Sequence, residues 1–582
     1  MDARPSSFGK SLFFGHIPES MVIPYPRIAL SEREHLHELL GSLRGFAKEA
    51  IDSRAIDEAE RIPDAVLAGL KSRGFYGLWL PAAHGGGGLS TSGYARLMQE
   101  LGTIDSSVAV TLSTHQSIGS QGLILYGDEA QRAAYLPRLA TGELTASFAL
   151  SEPLAGSDAA SIKTRAEPTA DGGFTLSGQK VWITNGGLAD LFTLFAQTRV
   201  DRDGGPKDRI TAFLVERKDG VRVGPELKKL GTRGASTTPL QLDGVRVGRE
   251  RVLGQVGGGF KVAQGILNTG RVGLCASALG QAQAMLRLAL GHATQRRQFG
   301  RLISDFGLIK DKIGRMMIDL YAAESMLYLT TGFMDRGIAD YSIESAVCKI
   351  LASETLWRVV HGALQIAPAL GVERGLPYER MMRDARVNLV FEGTNDILRC
   401  FVALSGMQGP GDRLSSLSEA IRFPLRGYGL AVDFMLDKLK TQYYGGERLD
   451  HVHPQLKREA VLFEDWVPEL AKNVEKALRK HGNEISEMQF VQRRIADVTI
   501  DLFIMIASMS RASASLFDRG PDAEREAKLC RAACARASAR IKRNIRAMDD
   551  NDDEIVKAIA NDAYEATAYG LDVVPPRDGP RG

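Results

Sequence analysis

The hydrophobic period of this chain changes twice along its length, and those two changes constrain its fold more than any single residue does. At the start, apolar residues recur at helical spacing (Leu36, Leu39, Leu40, Leu43, Ala47), preceded by Ser31-x-x-Glu34, which reads as a capping box. Pro63 opens a second helix and Gly74 ends it. Helical pattern continues through Tyr94–Leu101, Leu112–Leu125 and Asp128–Leu139. From about Phe148 the period drops to two and turn signals crowd in: Asp171-Gly172-Gly173, Asn185-Gly186-Gly187, Asp219-Gly220 and Asp243-Gly244. Leu240–Val247 reads as a hairpin turning at its Asp-Gly pair. After Gly257–Gly259 the helical spacing returns, as at Ile309, Ile313, Met316 and Leu320, and it persists to about Gly406. The expectation is an α+β chain: a helical domain over residues 1–145, a compact β domain over 146–255 and a helical bundle over 256–406.

Beyond it, Gly406–Asp412 (GMQGPGD) reads as a linker, and residues 413–582 follow as an additional helical domain. Its main helices are expected at Phe463–Leu478, Phe490–Leu516 and Ala523–Met548. Arg536, Arg540 and Arg543 share one face of the last, ahead of acidic Asp549–Glu554. A solvated charged face accounts for them, and so does an anionic membrane surface. The segment Ile421–Leu439 mixes Phe423, Phe434 and Leu439 with Arg422, Arg426 and Lys438. It reads as a docking surface or as a peripheral contact with anionic lipid, any helix being confined to its later half by Pro424, Gly427 and Gly429. With 582 residues and 44% apolar content there is material for several cores. A net charge of +3 argues against a dedicated nucleic-acid binder. Five cysteines form no paired framework and suit a reducing compartment. The first residues lack the basic head and apolar run of a signal peptide, and the repeated arginines of a transit peptide. No apolar run reaches the roughly 18 residues of a membrane helix. A cytoplasmic bacterial protein is expected, with peripheral contact at the inner membrane left open and a processed mitochondrial matrix form as the alternative.

The densest chemistry lies in Met382–Arg399, MRDARVNLVFEGTNDILR. Glu392 stands between the apolar run Val387–Phe391 and Gly393. In a dry pocket a carboxylate is costly to ionise, so its pKa should rise toward the range of a general base. Gly393 lets a ligand approach the backbone closely. Thr394, Asn395 and Asp396 offer caps for a helix over Ile397–Leu404, whose first N–H groups can meet an anion. An ordinary capped helix start produces the same pattern. Other chemistries find no support. There is no Gly-x-Gly-x-x-Gly after a strand, no Walker lysine, no His-Glu-x-x-His and no Gly-x-Ser-x-Gly. Cys530 and Cys534 have no nearby partner ligands, so no metal is expected; they read as small buried side chains on a helix.

Four segments, in order, resemble the acyl-CoA dehydrogenase family: Phe148–Thr164 (FALSEPLAGSDAASIKT), Gly178–Asp190 (GQKVWITNGGLAD), Arg296–Ile313 (RRQFGRLISDFGLIKDKI) and the Glu392 segment. The long extension points to the very-long-chain subgroup. The resemblance implies an N-terminal helical domain, a central β-barrel-like domain and a C-terminal four-helix bundle, with the extra helical domain added. It implies FAD, because oxidising a thioester at Cα–Cβ needs a hydride acceptor that no side chain provides. Glu392 is then the base, its backbone N–H donating to the thioester oxygen. In some relatives the base precedes the arginine here numbered Arg271; that position is Gly270, which cannot serve. Phe148, Leu150, Ser151, Gly156 and Ser157 would line the cofactor, Ser157 also meeting the CoA portion. Trp182, Ile183 and Thr184 would cover the flavin ring. Arg296, Gln298 and Phe299 would reach the FAD diphosphate across a subunit interface, Arg being suited to bidentate phosphate contacts. Gln365, Thr394, Asp396 and Gln489 complete the implied cofactor set, and Asn268, Arg271, Phe391 and Gly393 the substrate set.

The implied activity is oxidation of long-chain acyl-CoA to trans-2-enoyl-CoA in fatty acid β-oxidation, with electrons passing to an electron-transfer flavoprotein. An acyl-CoA oxidase using oxygen, or a non-enzymatic assembly role on the same fold, are the alternatives; Glu392, Trp182 and Thr184 argue against lost chemistry. Gly119 and Gly122 would share a side-chain-free helical face, read either as widening an acyl tunnel or as close helix packing. One departure stands out: where the family has Gln-Ile-x-Gly-Gly-x-Gly, this chain has QIAPALG (Gln365–Gly371), which puts FAD affinity or subunit geometry in doubt. The extension is expected to occupy the bundle surface that pairs two dimers in relatives lacking it, leaving a homodimer.

Overall fold

The computed structural model describes residues 7–202, 205–422, 447–571 and 573. Among the described residues nine α-helices come first: α1 (Phe8–Leu12), α2 (Glu19–Val22), α3 (Leu30–Ala50), α4 (Ser53–Ala59), α5 (Asp64–Ser72), α6 (Thr91–Ile104), α7 (Ser106–Thr114), α8 (Gln121–Tyr126) and α9 (Glu129–Thr141). The expected face of α3 is the buried one, through Leu36, Leu40, Leu43, Phe46 and Ala47. Ser31, however, caps nothing. The cap position is Ala29, two residues before the expected one, so α3 starts at Leu30 and Ser31 lies inside its first turn. A true capping box forms at Asp128 and Gln131 ahead of α9. Leu112–Leu125 is not one helix either. A π-helical turn, His115–Gly119, separates α7 from α8 and rotates the two glycines apart. A Cβ at Gly119 would lie 2.9 Å from Ala146 of the sheet, and one at Gly122 would lie 2.9 Å from Ile266. The two glycines therefore serve close packing against different neighbours and share no open face.

The β domain is an eight-stranded sheet: β1 (Ala146–Ala149), β2 (Arg165–Pro168), β3 (Phe174–Thr184), β4 (Leu191–Arg202), β5 (Gly205–Glu216), β6 (Arg222–Val223), β7 (Thr237–Val247) and β8 (Val252–Leu253). Its path runs β6-β7-β3-β2-β4-β5-β8, with β1 lying parallel to β4. Leu240–Val247 makes no hairpin. β7 pairs with β3 on both sides of Asp243-Gly244, and the extra residue is absorbed as a bulge opposite Leu176 and Ser177, with Gly244 at φ +66°.

The bundle consists of α10 (Gly259–Gln295), α11 (Gly307–Asp335), α12 (Ser342–Ile366), the short α13 (Pro368–Val372), α14 (Pro377–Asn388) and α15 (Asn395–Arg422). A small hairpin, β9 (Arg297–Gln298) with β10 (Arg301–Leu302), joins α10 to α11. The expected linker at Gly406–Asp412 is helical, because α15 runs through it, Pro410 included. The glycines there are close approaches. A Cβ at Gly406 would come within 2.2 Å of the Phe13 ring and one at Gly409 within 2.7 Å of Phe14. The extension then contributes Lys457–His481, Gln489–Arg519, Glu524–Arg546 and Asp553–Ala566. Within Gln489–Arg546 one 18-residue window is apolar enough to cross a membrane, contrary to the expectation, but 78% of it is buried inside the protein, which makes it a core helix. The arginine face of Glu524–Arg546 is divided: Arg543 is exposed, while Arg536 and Arg540 are partly buried and paired with carboxylates. Arg540 Nε donates to Asp501 Oδ1 at 2.8 Å and Arg536 pairs with Asp319 at 3.3 Å. Residues 423–446, which hold nearly all of the apolar-basic segment Ile421–Leu439, lie outside the described residues.

Candidate active site

α14 ends at Asn388, and Phe391 N still donates to Val387 O at 3.2 Å, winding the chain into a tight turn. Glu392 then takes φ +55° and Gly393 φ +94°. A left-handed glutamate costs on the order of 1–3 kcal/mol and persists only where its surroundings fix it. They do so from both sides. Arg271 Nε, on α10, reaches Glu392 O at 3.4 Å. Lys349 Nζ, on α12, donates to Gly393 O at 2.9 Å and to Asn395 Oδ1 at 2.8 Å. Thr394 Oγ1 accepts from Ile397 N at 3.3 Å and caps α15. Asn268 Oδ1 accepts from Arg271 Nη1 at 2.9 Å, so it orients that arginine.

The Glu392 residue is only partly covered, but its Oε2 is wholly enclosed and has no hydrogen-bond partner. Burial pushes its pKa up to about 7, against the pull of Arg271 and then Lys349. A Cβ on Gly270 would stand 2.4 Å from Ile118 Cγ2 and 3.7 Å from Oε2, so it is the contact with Ile118 that suits a residue without a side chain to that point of α10. Lys349 is itself driven down to about 8 by burial, opposed by Glu392. The Tyr94 hydroxyl, a second enclosed group without a partner, is pushed up chiefly by burial, the same carboxylate adding to the shift. Buried polar atoms left this way mark a place where a ligand's own groups are expected.

A second constellation sits on the sheet. Ser147 Oγ donates to Thr184 O at 2.5 Å and Val181 N to Ser151 O at 3.0 Å, so Phe148–Ser151 lies alongside Val181–Thr184. The β3–β7 register breaks between Lys180 and Ile183. In that bulge Trp182 adopts φ +56° and holds its indole 59% exposed, while Ile183 is buried. A large flat ring held out of a sheet by strained backbone suits a planar ligand such as the flavin of FAD. The loop carrying exposed Gly156 and Ser157 is anchored by Glu152, whose Oε1 accepts from Lys180 Nζ at 2.7 Å and from Thr164 Oγ1 at 2.6 Å. Asn185 Nδ2 donates to Thr111 O at 2.9 Å, and Ile118, farther along the same helical stretch, fills the space beside Gly270. Thus α7 and its π-turn connect the indole edge to the carboxylate.

Other expected residues stay outside these constellations. Arg296, Gln298, Gln365 and Gln489 are exposed, and Phe299, at the tip of the β9–β10 hairpin with φ +51°, is 93% exposed. Among the described residues no hydrogen bond or ion pair joins them to the Glu392 loop. Phe391 and Thr394 are partly buried and Asp396 is exposed, all three next to Glu392 in the chain. Pro368 and Ala369 start α13. Sequence reasoning did not single out Glu152, Lys180 and Lys349, which are buried and paired within these two constellations. The available signal was a lysine at an inward-facing strand position (Lys180) and one inside the apolar run AVCKILA (Lys349), since a lysine there needs a partner.

Family models match the chain in sequence order. They are acyl-CoA dehydrogenase, N-terminal domain over residues 33–143, middle domain over 147–245 and C-terminal domain over 257–406, then the ACAD9/ACADV C-terminal domain over 454–569. The very long-chain specific acyl-CoA dehydrogenase, mitochondrial, of Rattus norvegicus is 42% identical over 557 residues, covering 94% of this chain and 85% of the relative. The solved acyl-CoA dehydrogenase of Bacillus anthracis, complexed with FAD, superposes with a TM-score of 0.79 at 28% identity, covering 97% and 96% of the two chains. A chain in the solved structure of the electron transferring flavoprotein of Acidaminococcus fermentans aligns at 31% identity with a TM-score of 0.60, covering 64% of this chain and 98% of its own.

Proposed function

The chain belongs to the acyl-CoA dehydrogenase family, and on that premise we propose that Glu392 is the proton acceptor in FAD-dependent oxidation of long-chain acyl-CoA to the 2-enoyl thioester. One observation carries this reading above the others: a carboxylate oxygen enclosed without a partner, on a loop whose two carbonyls are held by Arg271 and Lys349. Bound FAD supplies the hydride acceptor for the β-carbon. The remaining work falls to the protein. Trp182, Thr184 and the Phe148–Ser151 edge would hold the flavin, Trp182 lying against the ring. Glu392 would take the α-proton, and its desolvated carboxylate is a stronger base than one in water. The Glu392 N–H would donate to the thioester oxygen and stabilise negative charge as it develops there; a donor of this kind is worth on the order of 3 kcal/mol of barrier. Arg296 and Gln298, exposed on one protomer, would reach the diphosphate of the partner's FAD. The relatives' names support a preference for long acyl chains, and the likeness to a chain of the Acidaminococcus electron transferring flavoprotein structure supports an electron-transfer flavoprotein as acceptor.

The test is an anaerobic titration of the yellow holoenzyme with palmitoyl-CoA and with butyryl-CoA, followed by reoxidation. Bleaching with a higher kcat/KM for palmitoyl-CoA, then rapid reoxidation by an electron-transfer flavoprotein but slow reoxidation in air, is the expected result. A kcat/KM that peaks at butyryl-CoA removes the chain-length preference. Fast reoxidation by oxygen alone makes the chain an oxidase. Absence of bleaching leaves a non-enzymatic role.

A further inference from the structure

We infer that the C-terminal extension positions the base-bearing loop, through a line of side chains running from Asp497 in the Gln489–Arg519 helix to the carbonyl of Gly393; this rests on the reading of Glu392 as the base. Asp497 Oδ1 accepts from Arg399 Nε at 2.7 Å. Arg399, one turn into α15, donates through Nη1 to Glu354 Oε1 on α12 at 2.7 Å. Asn395 Nδ2 donates to the same Glu354 oxygen at 3.3 Å and to Ser353 Oγ at 3.0 Å. That fixes the Asn395 amide with its oxygen toward Lys349 Nζ, 2.8 Å away, and the same ammonium holds Gly393 O at 2.9 Å. Each link fixes the geometry of the next. Asn395 and Lys349 are buried, so neither can exchange its partner for water without cost.

Asp497 is the one member of this line contributed by the extension, and Arg399 is where it enters. Two carboxylates, Glu354 and Asp497, share the Arg399 guanidinium. With Asp497 neutral, Arg399 falls entirely to Glu354 and competes with Asn395 for its oxygen. The Asn395 amide is then free to turn, and Lys349 loses the partner that aims it at the loop. A cavity of about 290 Å³ beside the line, lined in part by Arg358, Arg399, Asp497 and Arg536, gives these side chains room to shift without rebuilding a core. Arg399 and Asp497 are positioning residues; they do not touch the reacting atoms.

The experiment uses the full-length holoenzyme and stopped-flow anaerobic reduction by palmitoyl-CoA across neutral pH. Asp497→Asn should keep its FAD and slow bleaching at saturating substrate by about tenfold, with little change in KM, as expected when a reacting group is displaced by a fraction of an ångström. The acid limb of the pH profile should move to lower pH, because a looser loop admits water to Glu392 and a negative charge has been removed. Asp497→Glu should restore rate and limb. Arg399→Gln combined with Asp497→Asn should be no worse than Arg399→Gln alone, since both act on one line. An Asp497→Asn enzyme that reduces at the normal rate with an unmoved limb overturns the inference. Asp497→Ser gives the same reading where the asparagine variant fails to fold, and a normal rate and limb there overturn it equally. Glu392→Gln is run in parallel. If it stays inert while Asp497→Asn is normal, only the line to the extension fails; if it bleaches normally, the base itself was misread.

Discussion

At the residue scale the site is a set of buried charges that hold one another in place. Glu392 must be ionised to accept a proton, and its pKa is raised to about 7 chiefly by burial. The active form is therefore present above that pH and lost as pH falls through it, so kcat/KM for flavin reduction should rise with pH to a plateau, the midpoint lying near 7. A profile flat across neutral pH would contradict this. Lys349→Met should leave Gly393 O without a donor, at about 1–3 kcal/mol, and Asn395 Oδ1 with only the longer bond from Ser353 Oγ. A drop of several degrees in Tm, together with slower bleaching, is expected from thermal unfolding and stopped-flow measurements; an unchanged Tm would show that the lysine carries nothing. The enclosed setting of Glu392 was legible in sequence because its signal is local, a carboxylate between an apolar run and a glycine. Lys349 was not, since its partner carbonyl lies 44 residues away. Lys180 was hidden for the same reason, with Glu152 at a separation of 28.

At the element scale, the bulge in β3 and the loop from Ser151 to Thr164 act as one unit because Glu152 and Lys180 pair inside it. Both are buried, and Lys180 is lowered to about 8 by desolvation, opposed by Glu152. Glu152→Gln leaves a buried ammonium with no counter-charge, and breaking such a pair typically costs about 3–5 kcal/mol. Urea unfolding should show that loss, with FAD released at lower urea. The Glu152→Gln, Lys180→Met double variant should lose less, and equal losses in single and double variants would contradict the pairing. Element order was legible, since periodicity reports which face is buried. Punctuation was less so. Gly406 and Gly409 looked like a break because sequence does not reveal Phe13 and Phe14 packing on them. Asp243-Gly244 looked like a hairpin turn because a bulge uses the same residues.

At the scale of the whole molecule, the extension buries its long apolar helix against the bundle and lends Asp497 to the Arg399 line. Covering that bundle surface, it should leave a homodimer in which each FAD site draws Arg296 from the partner. Light scattering should then give about twice the 63.2 kDa chain mass, and a tetramer would show that the extension leaves the pairing surface open. Subunit contacts were the least legible part, because in one chain a residue that would meet a neighbour looks like any exposed side chain; Phe299, 93% exposed, is one that the proposed homodimer would cover. The whole mechanism turns on one carboxylate. The most direct test is the visible spectrum of Glu392→Gln holoenzyme during anaerobic titration with palmitoyl-CoA. It should stay yellow through excess substrate while the unaltered enzyme bleaches. Full bleaching of the variant at the normal rate would contradict the assignment on which the mechanism rests.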